Sequence, residues 1–387
     1  MQKVNLIATS TFGLEAVVAD EVKKLGYEVK VDNGKVEFTT DLSAIAKTNL
    51  WLRTSDRIRL KIGEFKVTTF EELFEKTKSL PWADWIPKNG QFPVEGKSVK
   101  SKLFSVPDVQ AITKKAIVES LKKTYKVEWF EENGPIFKVE VALLKDIATL
   151  TIDTSGPGLH KRGYRDWIGA APLKETMAAA LIQITKWNPD LPLIDPFCGS
   201  GTIPIEAALI GQNIAPGMNR EFVSESWPII PRDIWRQARA ETHDLAQYDR
   251  PLEILGSDID GEILKVAKRN AYEAGVDEQI HFQRMDVRQI MSEQKYGAII
   301  CNPPYGERLS DRREVEQLYI DMGRVFTKLD TWSYYILTSY EKFETLFGKP
   351  ATKKRKLYNG NLKVDYYQYF GPRPRKKKNS DGESNHV

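Results

Sequence analysis

Apolar side chains recur in two different periods along the first 65 residues. Val4 to Ala8 reads as a strand, and Leu14, Val17, Val18, Val22 and Leu25 then fall on one face of a helix. Asn33-Gly34 lies between the alternating runs YEVKV and KVEFTT, which predicts a hairpin. A second helix and a strand through Ile58 to Ile62 follow, giving the order β-α-β-β-α-β.

That order is ferredoxin-like. Residues 66–155 form a second α+β unit, with a helix rich in Glu and Lys, a turn bearing Pro81, Trp82, Trp85 and Pro87, and the strand FPVEGKSVKS. A long amphipathic helix begins near Ser105, with Ile112, Ala116, Ile117 and Leu121 marking its apolar side. The strands IFKVEVALL and IATLTIDT close the unit as a hairpin. Residues 156–171, GPGLHKRGYRDWIGAA, read as a basic connector. From 172 to 371 strands alternate with helices, which predicts a doubly wound, mostly parallel α/β sheet. Its strands are expected at 191–195, 252–258, 279–283, 297–301, 332–338 and 364–370. Residues 212–250 read as a helical, Trp-bearing insertion.

Composition narrows the function. With 41% hydrophobic residues over 387 positions, the chain is globular rather than disordered. No apolar run is long enough to span a bilayer, and Glu15 interrupts the N-terminal apolar stretch, so the expectation is a cytoplasmic protein without a signal peptide. Cys198 and Cys301 offer no disulfide framework, and no Cys/His spacing suggests a metal. The net charge of +4 hides an asymmetry: residues 353–378 carry ten Lys or Arg against Asp365 alone, so the rest of the chain is mildly acidic. A cationic end, with a basic and disordered tail at 372–387, suits a polyanionic partner, although a solubility device would look the same.

The chemistry concentrates in four strand ends. LPLIDPFCGSGT places Asp195, Phe197, Gly199, Gly201 and Thr202 where a strand turns into a helix, the usual ligand-binding edge of an open α/β sheet. A dinucleotide fingerprint is missing, and Asp195 would repel a pyrophosphate. It would favour a cofactor carrying ammonium and sulfonium charge, S-adenosyl-L-methionine. GSDID supplies Asp258 for the ribose hydroxyls, with Ile259 beside it, and MDVRQI supplies Asp286 for the adenine edge. Asp258 comes 63 positions after Asp195, a gap that the 212–250 insertion explains. The fourth strand delivers Asn302-Pro303-Pro304-Tyr305. An exocyclic base amine is a poor nucleophile and has to be posed; the Asn302 oxygen and the Pro303 carbonyl can each accept one of its N–H groups, Pro304 stiffens the turn, and Tyr305 can stack on the base.

In that order DPFCGSGT, GSDID and NPPYGERL resemble class I methyltransferases that act on exocyclic amines of nucleic-acid bases. HKRGYR, APLKE and KSVKSKLFSVPDVQAITKKAI extend the resemblance to THUMP-containing bacterial guanine-N2 methyltransferases of 23S rRNA, in a form with a single methyltransferase domain. The resemblance implies a Rossmann-like methyltransferase domain at 172–371 preceded by ferredoxin-like (1–65) and THUMP (66–155) modules. It also implies the cofactor residues named above together with Asn302, and a structured RNA partner held by Lys100, Lys102, Lys114, Lys161, Arg162 and Arg165. NPPY is shared with DNA adenine-N6 enzymes, so it specifies the chemistry better than the substrate. Transfer RNA remains an alternative to rRNA, as does a non-catalytic RNA-binding or ribosome-assembly role.

Overall fold

The structure is a computed structural model that describes residues 3–165, 173–185, 187–305 and 312–372. Its N-terminal half opens with β1 (Lys3–Thr9), α1 (Glu15–Lys24), β2 (Lys30–Asp32), β3 (Lys35–Asp41), α2 (Ser43–Trp51) and β4 (Arg57–Lys66). The Asn33-Gly34 hairpin forms with Asp32 opposite Lys35, and Gly34 takes a positive φ of 71° that few other residues adopt cheaply. α3 (Phe70–Lys78), β5 (Val94–Val99), α4 (Val106–Tyr125), β6 (Val139–Leu144) and β7 (Ile147–Asp153) follow. The β6–β7 hairpin turns on Lys145 and Asp146, both at positive φ (52° and 64°), so a tight turn forms without the glycine that would have announced it.

The two α+β units share one seven-stranded sheet, ordered β2-β3-β1-β4-β7-β6-β5. The joint is β4 against β7, antiparallel from Arg59↔Asp153 to Lys66↔Ile147. Their apolar faces merge into one core containing Leu6, Ile58, Leu60, Trp82, Val139 and Ile152.

The C-terminal half carries α5 (Glu175–Ile184), β8 (Leu193–Asp195), α6 (Thr202–Gly211), α7 (Arg232–Leu245), β9 (Ile254–Asp258), α8 (Gly261–Glu273), β10 (Ile280–Arg284), β11 (Ala298–Cys301), α9 (Arg312–Phe326), β12 (Ser333–Thr338), α10 (Phe343–Phe347), β13 (Lys353–Asn359) and β14 (Leu362–Tyr369). The sheet order β10-β9-β8-β11-β12-β14-β13 is parallel from β10 to β12 and antiparallel beyond. Strand order reverses between β8 and β11, which creates the crevice where such sheets bind ligands.

β13 corrects the reading of residues 353–356 as part of a charged end. KKRK forms the edge strand, a position where lysines face water and discourage pairing with other chains. The tail at 373–387 lies outside the described residues.

The halves also exchange core residues. Phe222, Trp227, Ile230 and Trp235 of the insertion pack in the N-terminal core, and Trp227 stacks on Phe137 at 4.7 Å between ring centroids while donating its N–H to the Ile136 carbonyl. Leu14 and Val17, which flank the start of α1, pack in the C-terminal core.

Candidate active site

Asp195, Asp258, Asp286 and Asn302 stand at or just beyond the carboxyl ends of β8, β9, β10 and β11, adjacent strands of one sheet. The glycine loop after β8 is tied to its neighbour. Cys198 N–H donates to the Ser257 carbonyl at 3.0 Å, and Gly199 N–H donates to Asp258 Oδ2 at 3.0 Å. Gly199 and Gly201 both have positive φ (51° and 86°), and Gly201 begins α6. A side chain at Gly199 would meet nothing within 4 Å, so the loop leaves open space there, whereas one at Gly201 would press on Ala267 and Phe282 at 3.2 Å.

Asp195 is buried, and the Phe197 N–H at 3.1 Å donates to its Oδ1. Burial pushes its carboxyl far above the usual range, the Phe197 bond works against that, and nearby Asp258 adds to it. No cation among the described residues pairs with it, so this acid would gain from a positively charged ligand. Asp258 has its Oδ1 on the Asp260 N–H at 3.0 Å, and each of its oxygens retains accepting capacity for a hydroxyl. Ile259, 63% exposed, offers an apolar surface next to it. Asp286 is oriented by Arg288, through the backbone N–H and a guanidinium N–H (both 2.9 Å), and Arg288 is held in turn by Asp321. The buried carboxylate, the open glycine loop and the acceptors suit S-adenosyl-L-methionine chemically.

Pro303 is buried and Pro304 exposed, so the turn after β11 is half sunk in the protein. The sequence pattern directs Tyr305 towards a base. Its hydroxyl donates instead to Asn302 Oδ1, the acceptor assigned to the amine, and the ring packs partly against the C-terminal core. An incoming amine would have to replace that O–H donor. The neighbouring Gly306 to Leu309 lie outside the described residues.

Sequence reasoning missed the support beneath this turn. Tyr319 of α9 is fully buried; its hydroxyl donates to the Pro304 carbonyl at 2.8 Å and lies 3.0 Å from the Thr338 hydroxyl. Burial raises its pKa, so the hydroxyl remains a donor. A Tyr within an amphipathic helix carries no sequence signal for that contact.

Three cations expected to hold RNA are engaged elsewhere. Arg162 is 4% exposed; it forks onto Glu206 of α6 at 3.2 and 3.3 Å and donates to the carbonyls of Arg53 and Leu159. Arg165 pairs with Glu175 at 3.2 Å and donates to the Thr202 hydroxyl. Lys114 pairs with Glu132 at 2.7 Å and sits 3.4 Å over the Phe92 ring. Arg162 and Arg165 therefore join the connector to α6, Arg162 buried and Arg165 half-buried against Glu175 and Thr202. Lys100, Lys102 and Lys161 remain exposed. Glu206 was legible in principle: it is the single charge in TIPIEAALIG, and a lone acid in an apolar helix calls for a buried partner.

Among the described residues no helix is long and apolar enough to cross a membrane, and no cluster of His, Cys, Asp or Glu could hold a metal ion.

Comparisons with known proteins agree with this architecture. Residues 162–368 match the RMKL-like methyltransferase domain, 5–59 the RlmL ferredoxin-like domain and 67–153 the THUMP domain. The chain is 59% identical, over 98% of its length and 99% of the relative's, to a Bacillus subtilis (strain 168) protein called "Putative RNA methyltransferase YpsC". A Listeria monocytogenes crystal structure described as a "predicted N6-adenine-specific DNA methylase" is 59% identical with a TM-score of 0.93, covering 96% of this chain and 97% of that one. A further structure, described as "SMU.472, a putative methyltransferase complexed with SAH", is 48% identical with a TM-score of 0.92, covering 97% of this chain and 100% of that one.

Proposed function

The chain belongs to the RMKL-like methyltransferase family, with RlmL-type ferredoxin-like and THUMP domains ahead of the catalytic one, and from that premise we propose that it methylates the exocyclic N2 amine of a guanine in RNA, with 23S rRNA as the substrate. The observation that carries the reading is Asn302-Pro303-Pro304-Tyr305 at the end of β11, one strand from the Asp195 loop across the switch in strand order. The relative bound to SAH supports the same cofactor class here.

S-adenosyl-L-methionine, when bound, supplies an electrophilic methyl group on a sulfonium. Asp195 would favour its positive charge, Asp258 its ribose hydroxyls and Asp286 its adenine edge, with Phe197, Gly199, Gly201, Thr202 and Ile259 shaping the cradle. Asn302 Oδ1 and the Pro303 carbonyl would accept the two amine hydrogens, orienting the nitrogen lone pair and stabilising the positive charge that grows on it. No base is needed before transfer, because the extra proton becomes acidic only afterwards. The target guanine has to leave its stack to reach this turn.

The Listeria relative, named for adenine-N6 methylation of DNA, raises DNA adenine as a second acceptor, since NPPY chemistry serves both amines. The THUMP and ferredoxin-like modules favour RNA. Incubating the protein with labelled cofactor and separated rRNA, tRNA and DNA, then identifying the modified nucleoside by mass spectrometry, separates these readings. N2-methylguanine in 23S rRNA is the expected result; N6-methyladenine or labelled DNA would replace it.

A further inference from the structure

β13 and β14 distribute the basic run of residues 353–356 between two faces. Lys353 lies opposite Gln368, Arg355 opposite Tyr366 and Leu357 opposite Val364, and paired residues project from the same side of a sheet. Leu357, Val364 and Tyr366 are buried in the C-terminal core, so that side faces α5 and α1. Lys353 and Arg355 are therefore carried to the seam between the two halves. Lys354, on the other side, lies 4.6 Å from the Tyr367 ring and pairs with Asp365.

At this seam lies a cleft of about 370 Å³. Ala16, Asp20 and Lys24 recur at four-residue spacing along α1 and form one wall; Trp187 forms part of another, and Lys353, Arg355 and Gln368 line the sheet side. Among the described residues, three cations thus meet one acid, Asp20. Arg355 donates to the Gly13 carbonyl at 2.7 Å, which fixes its position, whereas neither Lys24 nor Lys353 has a carboxylate partner among the described residues. Gln368 is 2% exposed, yet its Nε2 has no acceptor. A buried amide donor without a partner is costly, and in native proteins it commonly marks a position that a water or ligand completes.

We propose that this cleft is an anion site, distinct from the methyltransferase centre, that takes a phosphate group: Gln368 donates from within while Lys24, Lys353 and Arg355 neutralise its charge. It lies by the carboxyl end of α5, which precedes β8 in the chain, and so towards the sheet edge opposite the row of Asp195, Asp258 and Asn302. A cleft of this size accommodates a mononucleotide as well as a single backbone phosphate. The two sources share the same chemistry, and experiment distinguishes them. The inference does not depend on the proposed reaction, because binding can be read without methyl transfer.

The test uses the full chain, K24E/K353E and Q368M, none of which alters the methyltransferase centre. Pyrophosphate and GMP are the free-anion probes, read by calorimetry and thermal shift, alongside RNA binding over a range of salt. Q368M removes an unpartnered buried donor, so without ligand its melting temperature should be no lower than that of the parent. Saturable binding of pyrophosphate or GMP to the parent, weakened at least tenfold in both variants while cofactor affinity is unchanged, would support a free phosphorylated ligand. Absence of free-anion binding, with RNA affinity reduced in both variants and a salt slope flatter by about 1 to 2 in K24E/K353E, would support an RNA phosphate. If neither free anions nor RNA distinguish the variants from the parent, the site does not exist, whatever becomes of the methyltransferase assay.

Discussion

At the level of single residues, the proposed division of labour separates binding from chemistry. D258A should weaken the cofactor by ~2–4 kcal/mol, because two hydroxyl bonds to a charged acceptor would be lost together. N302A should leave cofactor affinity nearly unchanged and slow single turnover ~100-fold. The opposite pattern in calorimetry and single-turnover rates would mean that the roles are reversed. Asp195 adds a dependence on pH. Its carboxyl is raised by burial, so the cofactor-free protein favours the protonated form, and its stability declines as pH rises above the ordinary carboxylate range. A cationic ligand favours the ionised form, so cofactor binding should release a proton and tighten with rising pH until Asp195 is ionised in the free protein. D195N should bind weakly and lose that component of the slope; a slope the same as the parent's would place the titration elsewhere. Tyr319 tests the support beneath Pro304. Y319F keeps the edge contacts with Tyr340 and Phe343 and removes only the hydroxyl, so stability should fall by no more than about 1.5 kcal/mol. A merely structural hydroxyl would stop there. A positioning one should also lower the single-turnover rate about tenfold with cofactor affinity and RNA KM unchanged, and a parental rate would remove Tyr319 from the mechanism. These support contacts were illegible because nothing in a sequence says which helix face will meet which carbonyl, whereas strand-end acids and NPPY announce themselves by type and spacing.

At the level of elements, charge was the misleading signal and periodicity the reliable one. The strands alternating with helices beyond residue 172 fell where the apolar runs put them, because a buried parallel strand must be apolar on both faces. β13 escaped because an edge strand has one flank unpaired and its end need not be apolar, so KKRK fits there with its side chains alternating between the two faces. The connector misled in the opposite way, since HKRGYR has the composition of a phosphate-binding loop but buries its first arginine against Glu206. Burial opposes the Arg162 charge, and Glu206 more than compensates, leaving the guanidinium more firmly protonated than usual. R162M would strand Glu206, partly stabilised by the Tyr164 hydroxyl at 3.2 Å, and should cost ~3–5 kcal/mol in urea unfolding. R162M/E206M should recover much of that loss. Were R162M instead as stable as the parent but poorer at binding RNA, with a flatter salt slope, Arg162 would be a phosphate contact after all.

For the whole molecule, the modular sequence hides a shared interior. The chain reads as successive units, and three separate family models match it, yet the halves contribute to each other's cores. Trp227 and Trp235 of the insertion complete the N-terminal core, while Leu14 and Val17 enter the C-terminal one. Polar ties reinforce the exchange. Arg53 donates to the Ile214 carbonyl at 2.7 Å, and buried Glu21 of α1 accepts from Thr54 and from Gln183 of α5. Ordinary interdomain contacts are more polar and let domains move, whereas here each half supplies buried apolar residues to the other's core, so opening the seam would expose both cores. Calorimetry of the intact chain should accordingly show one transition, with the van't Hoff and calorimetric enthalpies in agreement. A fragment of residues 173–372 would expose Phe222, Trp227 and Trp235 and should aggregate or melt well below the parent. Two resolved transitions, or a fragment as stable as the whole, would show that the halves are independent. The functional consequence of a single cooperative unit is geometric: on the proposed reading, an RNA held by the N-terminal half would meet Asn302 at a fixed distance, and the reach between the two would select the target base.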